Sequence, residues 1–362
     1  MEALVDDEFW SGRRVLITGH TGFKGSWLLV MLEALGARVA GYALSPPTSP
    51  SLYAQISGEL LCEDNRGDIR DLDRLRRVVS DFDPHLLIHL AAQPIVLEAS
   101  KLGVETMEIN VIGTARVLEA ARSARSLQAV LSVTTDKVYE NREWCWGYRE
   151  TDSVGGHEPY GASKACAEIV TAAWAKSFLE PAGIRVATAR AGNVIGGGDW
   201  APARLVPDAI RAWRSSESLH LRSPISIRPW QHVMEPLSGY LAFCQSLVGG
   251  RTGSVRALNL GPRDEDTRPV IDVCRLINKH LPEPIELRQE AVDHGGGVES
   301  KVLRLDSSLA KSVIDWGSRL TLEQAVELTV EWYVSVASGS SALEICRRQF
   351  DWYRSKSLGL MA

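Results

Sequence analysis

The chain has 362 residues, of which 45% are apolar, and it can bury one large core or two interlocked domains. Its formal net charge of -5 excludes a broadly basic surface for nucleic acid, so an anionic partner should be small and held by a local site. Six scattered cysteines without a C-x-x-C pair argue against a metal site or a disulfide framework. No apolar run is long enough to span a membrane or to act as a signal peptide, so we expect a cytoplasmic protein without membrane contact.

The first half of the chain alternates short apolar runs with longer helical patterns. The runs that predict strands are Arg14–Thr18, Arg38–Leu44, Leu86–Ala91 and Ala129–Thr134. A helical pattern follows the first run and stops at Gly36, and each later gap is long enough for a helix. This alternation predicts an α/β fold with a doubly wound parallel sheet over residues 1–188.

Two long helices are predicted at residues 104–122 and 160–178, both on this sheet. In folds of this kind such a pair often forms a dimer interface, so we expect a homodimer, with a tetramer as the alternative. Glycines and prolines interrupt the chain beyond residue 190. We therefore expect a smaller, irregular α/β substrate lobe at 189–362, with a segment at about 225–262 returning to the sheet.

A glycine-rich segment, T-G-H-T-G-F-K-G at residues 18–25, joins the first predicted strand to the first helix. In this context glycine lets backbone N–H groups and a helix N-terminus approach a pyrophosphate, which a Cβ would block. The segment therefore predicts a dinucleotide site made by Gly19, His20, Thr21, Gly22, Phe23, Lys24 and Gly25.

The choice of dinucleotide is open at this stage. Residues 42–48, at the end of the second strand, contain neither the acidic residue that binds the ribose of NAD nor an arginine for the 2′-phosphate of NADP. Asp68 could accept the adenine amino group, with Ile69 against the ring, or it could cap a helix. Ala91, Ala92 and Gln93 end their strand where they can line the cofactor cleft.

Tyr160 and Lys164 are four residues apart on a predicted helix, which stacks their side chains on one face. The lysine charge would favour the phenolate form of a tyrosine whose ordinary pKa is about 10, and the lysine could also hold the nicotinamide ribose. This pair is therefore a candidate for proton abstraction beside a nicotinamide.

Together, the glycine loop, Ala91-Ala92-Gln93, Thr135 and Tyr160…Lys164 resemble an extended short-chain dehydrogenase/reductase with a Rossmann-type domain that binds NAD. Longer motifs are similar to those of CDP-glucose 4,6-dehydratases: G-H-T-G-F-K-G-S-W-L at 19–28, T-D-K-V-Y-E-N-R-E-W at 135–144, W-G-Y-R-E at 146–150, G-G-G-D-W at 196–200 and R-P-W-Q-H-V-x-E-P-L-S-G-Y at 228–240. This resemblance covers nearly the whole chain.

The resemblance implies a reaction with no net redox change on CDP-glucose, within deoxysugar biosynthesis for lipopolysaccharide O-antigen. Tyr160 would take the C4 hydroxyl proton while hydride passes to NAD, water would be lost across C5 and C6, and hydride would return to C6. By position, Asp136 would be the acid of the elimination, and Lys137 would be the base where dTDP-glucose enzymes carry glutamate. The alternative is that Lys137 is a solvated lysine that pairs with Asp136.

The resemblance also implies substrate contacts: Asn193 near the sugar diphosphate, Arg228 on phosphate and Arg204 as a second donor. The loop at 259–261 resembles one that family members use beside the substrate lobe. The sequence departs from the family pattern at 97–100, at Gly161, where serine is common, and at Ala203, where aspartate is common. A dehydratase or epimerase for another nucleotide sugar, or a non-catalytic dinucleotide sensor, are the alternatives.

Overall fold

A seven-stranded parallel sheet forms the centre of the computed structural model, which describes residues 5–58, 61–289 and 301–357. Its strands, from one edge to the other, are β3 (Glu63–Arg66), β2 (Arg38–Ala43), β1 (Arg14–Thr18), β4 (Leu86–His89), β5 (Ala129–Val133), β6 (Arg185–Ala191) and β10 (Ala257–Leu260). The chain order reverses between β1 and β4. The predicted doubly wound parallel sheet is therefore confirmed.

Helices cover both faces of the sheet. They are α1 (Asp7–Trp10), α2 (Phe23–Ala34), α3 (Leu52–Ile56), α4 (Leu72–Phe82), α5 (Val96–Lys101), α6 (Gly103–Met107), α7 (Gly113–Ala121), α8 (Pro159–Trp174), α9 (Leu205–Ser215), α10 (Met234–Val248), α11 (Val270–His280), α12 (Ser308–Ile314), α13 (Leu322–Ala337) and α14 (Ala342–Ser357). None of the helices in the described ranges is both long and apolar enough to cross a membrane.

Alternate residues of the central strands enter two separate hydrophobic cores. In β1, Val15 and Ile17 pack with α2 and α10, whereas Leu16 packs with α4 and α7 on the other face. Strands buried on both faces read as continuous apolar runs, and this is why β1, β4 and β5 were predictable from the sequence. The carboxyl ends of these three strands lie side by side at one edge of the sheet.

The two long helices lie close to where the sequence predicts them, and each contains one wider turn. α6 continues through a π-helical segment, Glu108–Ile112, into α7, and α8 continues into a second one, Ala175–Leu179. In the first segment, the Asn110 side chain accepts from the Gln93 backbone N–H at 2.8 Å and donates to the Ser163 hydroxyl at 2.8 Å. The π turn thus ties the end of β4 to α8.

The remaining strands form two small sheets: β11 (Thr267–Pro269), β9 (Ile227–His232) and β7 (Asn193–Ile195) in one, and β12 (Leu287–Gln289) and β8 (Leu219–Leu221) in the other. α10 packs on β5 and β6, and β10 pairs with β6. Within the segment at about 225–262, β10 thus belongs to the central sheet, whereas β9 lies in the three-stranded small sheet. The division at residue 188 stays a prediction.

Candidate active site

The glycine loop makes very close backbone contacts at the edge of the sheet. Gly19 has a φ of +81°, and a Cβ there would lie 2.7 Å from the Ala91 nitrogen; a Cβ on Gly25 would lie 2.2 Å from the Gly19 oxygen. No side chain caps α2 at its N-cap, Gly22. Glycine therefore keeps this cradle free of side chains and leaves backbone N–H groups at the N-terminus of α2. This geometry fits the pyrophosphate of a dinucleotide.

Side chains of the loop residues point away from this cradle. The His20 ring is fully buried, its Nε2 lies 2.9 Å from an Asp64 oxygen, and burial lowers its pKa. The Thr21 hydroxyl donates to the Leu44 carbonyl at 3.0 Å. Phe23 is half-buried and begins α2. His20 and Thr21 can thus serve a dinucleotide only through their backbone.

Lys24 extends towards the catalytic centre. Its Nζ donates to the Tyr240 hydroxyl at 3.3 Å, and it interacts electrostatically with Arg204, Lys164 and Asp136. Burial, assisted by the two positive neighbours, lowers the pKa of Lys24 to about 7. This direction could not be inferred from the loop motif.

Between β3 and α4, the Asp68 carboxylate accepts from the Arg70 backbone N–H at 2.8 Å and from the Arg70 guanidinium at 2.7 Å. Asp71, not Asp68, caps α4, so the helix-cap alternative for Asp68 is wrong. Ile69 is 5% exposed and packs under Gly113. Asp68 remains a candidate for the adenine amino group.

The segment Ala91, Ala92 and Gln93 leaves β4 beside the loop. The Ala91 N–H donates to the Thr18 hydroxyl at 3.2 Å, and Ala91 touches Gly19 as described above. The Gln93 side chain accepts from the Ile95 N–H and donates to the Ile95 carbonyl and to the Thr106 hydroxyl. The structure therefore brings this predicted segment and the glycine loop together.

A 3-10 turn, Asp136–Val138, follows β5 directly. The Thr135 hydroxyl donates to one Asp136 carboxyl oxygen at 2.9 Å, while the other oxygen is buried without a partner among the described residues. Burial raises the pKa of Asp136, against the charges of Lys137, Arg228 and Lys24. Asp136 is thus suited to hold a proton that it can donate.

Lys137 is half-buried and lies in the same turn. Its charge lowers the pKa of Asp136, but it forms no ion pair within 4 Å with any carboxylate in the described ranges. The direct ion pair between Lys137 and Asp136, which was the alternative to a catalytic role for Lys137, is therefore not formed. The ammonium group remains available to a substrate at the end of β5.

Tyr160 and Lys164 lie on the first turns of α8, against the Thr135–Lys137 segment. Glu158 caps this helix by accepting from the Tyr160 and Gly161 N–H groups at 2.7 and 2.8 Å. The Lys164 ammonium donates to the Val133 carbonyl at 3.1 Å, and burial lowers its pKa to about 8.

Burial raises the pKa of Tyr160 to about 12, although a hydrogen bond with Thr135 and the charge of Arg204 act in the opposite direction. The expected stabilisation of the phenolate is therefore outweighed by burial in the protein itself.

The three predicted substrate residues lie around the same point. Asn193 begins β7, which pairs with β9, and Arg228 on β9 is 3% exposed and interacts with Asp136. Arg204 precedes α9, forms an ion pair with Asp199 at 3.1 Å and acts on both Lys24 and Tyr160. Two guanidinium groups that act on Asp136, Lys24 and Tyr160 suit a diphosphate-linked substrate.

Residues 15–261 match the sequence model of the NAD dependent epimerase/dehydratase family. The chain belongs to this family. It is 41% identical over 357 residues to a CDP-glucose 4,6-dehydratase of Salmonella typhimurium, covering 97% of this chain and 99% of the relative. A dTDP-glucose 4,6-dehydratase of Xanthomonas campestris pv. campestris is 26% identical, with coverage of 91% and 97%.

Solved structures share this fold. An epimerase of Methanothermobacter thermautotrophicus superposes with a TM-score of 0.80 at 22% identity, covering 92% of this chain and 95% of the neighbour. A dTDP-glucose 4,6-dehydratase of Bacillus anthracis in complex with NAD has a TM-score of 0.73 at 22% identity, covering 92% and 100%. At 22% identity, these two likenesses show the fold alone.

Asn259 begins the loop at 259–261 and makes internal contacts. It is fully buried, its side-chain oxygen accepts from the Tyr139 hydroxyl at 2.7 Å, and its amide group donates to the carbonyls of Tyr148 and Asp306. All of these contacts are internal, so we assign Asn259 a structural role.

Two departures from the family pattern have a visible physical consequence. A Cβ on Gly161 would lie 2.7 Å from the Lys137 carbonyl oxygen and 3.1 Å from Glu158 Oε1. Glycine therefore permits a close approach between α8 and the Asp136–Val138 turn. Ala203 has a φ of +59°, a left-handed conformation that is costly for alanine. The third departure includes Leu97, which is exposed on α5.

Proposed function

We propose that this family member is a CDP-glucose 4,6-dehydratase, which converts CDP-D-glucose to CDP-4-keto-6-deoxy-D-glucose and water. The observation that carries the proposal is the turn after β5, which presents a buried Asp136 carboxyl and the Lys137 ammonium next to Tyr160. A C4 epimerase needs no such pair, because it eliminates no water. The similarity to the Salmonella relative supports CDP-glucose as the substrate.

NAD, when bound, supplies the hydride acceptor and donor of this reaction. The glycine loop would hold its pyrophosphate, Asp68 its adenine, and Ala91, Ala92 and Gln93 the wall of the cleft. Lys164 would hold the nicotinamide ribose through the same ammonium that donates to Val133. Held by these residues, NAD would supply its hydride chemistry to a sugar bound at Tyr160.

Tyr160 is the proposed base for the C4 hydroxyl. Its phenol interacts with the Thr135 hydroxyl, so a proton taken from the sugar can be shared with a second oxygen. Thr135 also donates to Asp136, and it thereby links the base of the oxidation to the acid of the elimination.

Asp136 is the proposed acid for the C6 hydroxyl, because burial favours its protonated form. Lys137 is the proposed base for the C5 proton, whose acidity rises once C4 is a ketone. The two groups are consecutive in the chain and face carbons that are adjacent in the sugar. Asn193, Arg204 and Arg228 would hold the diphosphate so that C5 and C6 meet this turn.

The test is incubation of the purified protein with CDP-glucose. We expect the alkaline absorbance of a 4-keto sugar, without net consumption of NAD. Turnover of dTDP- or UDP-glucose with none of CDP-glucose would contradict the substrate, and no keto product from any nucleotide sugar would contradict the activity.

Variants separate the two halves of the reaction. Tyr160→Phe should abolish oxidation, whereas Lys137→Met should let the near-ultraviolet absorbance of reduced cofactor accumulate, because oxidation proceeds and elimination stops. Lys279→Met, which removes an exposed lysine of α11 paired with Glu323, is the control and should retain full activity. A Lys137 variant that stalls before reduction of the cofactor would show that its role is assigned wrongly.

We also propose a homodimer formed through the helices α5 to α8. Large apolar side chains are exposed on these helices and at their ends: Leu97, Leu102, Val104, Ile112, Ile169 and Phe178. Exposed large apolar side chains grouped on helices that pack against one another are typical of a protein interface. We place the dimer in the cytoplasm, where nucleotide sugars are made, as a step of deoxysugar biosynthesis for lipopolysaccharide O-antigen.

A further inference from the structure

A buried ion pair lies directly beneath the turn after β5. Glu168 on α8 and Arg190 on β6 are 8% and 5% exposed, and two parallel contacts of 3.0 Å join the guanidinium to both carboxylate oxygens. The carboxylate also accepts from the Thr134 hydroxyl at 2.5 Å and from the Thr188 hydroxyl at 2.6 Å. Every acceptor position of the buried carboxylate is thus used, as a stable buried charge requires.

This ion pair holds the turn at both ends. Thr134, which immediately precedes Thr135, is bound to Glu168. Tyr139, which immediately follows Val138, accepts from the Arg190 guanidinium at 2.8 Å and donates to Asn259. The four residues between these two anchors include Thr135, Asp136 and Lys137, so the height of the proposed catalytic groups above the sheet depends on the pair.

The same carboxylate is connected to the helix that carries the oxidation machinery. Glu168 lies one helical turn beyond Lys164 on α8, and its negative charge opposes the lowering of the Lys164 pKa by burial. A single side chain therefore contacts the strand that leads into the elimination turn and stabilises the charge of the lysine beside Tyr160.

We infer that Glu168 and Arg190 are positioning residues that fix the Asp136–Lys137 turn against Tyr160 and Lys164, so that oxidation and elimination occur on one bound sugar. This inference rests on the proposed function. Neither residue touches the cleft, and their effect passes through Thr134, Tyr139 and Lys164. The nearby Thr188 contacts the same carboxylate but leads to no residue of the turn.

Two matched substitutions separate positioning from simple stability. Thr134→Val and Thr188→Val each remove one short hydrogen bond to Glu168 from a buried threonine of similar exposure, 5% and 4%. We expect similar losses in Tm for both. Thr134→Val should lower kcat by about tenfold or more, with reduced cofactor accumulating during turnover, because the elimination groups shift from their productive geometry. Thr188→Val should keep kcat within about twofold of wild type.

A pH profile supplies a second readout. In Glu168→Gln the buried positive charge of Arg190 is no longer neutralised, so the pKa of Lys164 should fall further below its present value of about 8. The alkaline limb of kcat/KM should then move to lower pH, whereas the limb should stay in place for Thr188→Val.

The outcomes distinguish this inference from the proposed function. Wild-type enzyme assayed alongside decides whether CDP-glucose is turned over. Hydrogen exchange of the backbone at 135–139 needs no substrate: it should increase in Thr134→Val and remain unchanged in Thr188→Val. Equal effects of the two threonine substitutions on exchange at these residues, or on kcat, would overturn the inference.

Discussion

Substitution of Gly161 by alanine tests whether the spacing between α8 and the catalytic turn is set by glycine. The added Cβ would lie 2.7 Å from the Lys137 carbonyl oxygen, 3.1 Å from the Glu158 carboxylate that caps the helix and 3.3 Å from the Gly156 Cα. Two of these neighbours are backbone atoms, so a rotation of one flexible side chain cannot relieve the contact. The turn that carries Lys137 must move away from Tyr160.

The magnitude follows from a matched control. Gly103 begins α6, and a Cβ there would meet only Pro159 carbons at 3.8 Å, an ordinary contact. Both substitutions gain the helix preference of alanine over glycine, about 0.5–1 kcal/mol. Their difference therefore isolates the steric cost at residue 161, about 1–3 kcal/mol.

Thermal unfolding and steady-state kinetics of both variants are the assays. Gly103→Ala should match or exceed the wild-type Tm, whereas Gly161→Ala should unfold at a lower temperature than Gly103→Ala. Displacement of Lys137 should also reduce kcat by about tenfold. If Gly161→Ala is as stable and as active as Gly103→Ala, the close contact does not set the position of the turn. Gly161→Ser, which adds the same Cβ, should behave like Gly161→Ala.

Three further predictions concern stability and assembly. Ala203→Gly should raise the free energy of unfolding by about 0.5–1 kcal/mol, because φ is +59° at this position, and urea unfolding without such a gain would contradict this strain. Burial raises the pKa of Glu235 from 4.5 to about 7, so folding favours the protonated carboxyl. Its contribution to the free energy of unfolding is fully present below about pH 4.5 and is lost as pH rises through about 7. The Tm of Glu235→Gln should therefore fall less than the wild-type Tm across this pH range. An equal fall in both proteins would contradict this role of Glu235. Ile169→Glu, on an exposed face of α8, should convert the proposed dimer to monomers, as measured by light scattering. A molar mass equal to that of wild type would contradict an interface at this face.

The parts of the fold that the sequence predicts are those whose strands are buried on both faces. Strand β3 was missed because its residues, Glu63 to Arg66, are polar and half-exposed at the edge of the sheet. The small sheets were missed as well, since strands of three residues, such as Asn193–Ile195, are too short to show a period. Their existence depends on pairing with distant segments.

The candidate site was predictable in its backbone and less so in its side chains. The glycine loop and the Tyr160–Lys164 spacing are local patterns, and the structure brings them together at the ends of β1, β4 and β5. The direction of Lys24 towards Tyr240, and the use of Asn259 as an internal link, depend on contacts between distant residues. Glu168 and Arg190 carry no local motif, although two charged residues at positions expected to be buried could have indicated a pair.

Burial shifts the pKa of Asp136, Lys24 and Tyr160 at this site, and the shifts have different consequences for the two halves of the proposed reaction. It raises the pKa of Asp136 and lowers that of Lys24 to about 7, so the carboxyl retains a proton and the amine loses one more readily. Burial of the Asp136 carboxyl thus has the sense that the proposed acid of the elimination requires. For Tyr160 the same burial raises the pKa to about 12 and opposes the phenolate. The protein therefore prepares the acid of the elimination through burial, whereas oxidation depends on positive charge near the phenol, and the charge of Arg204 acts in that sense.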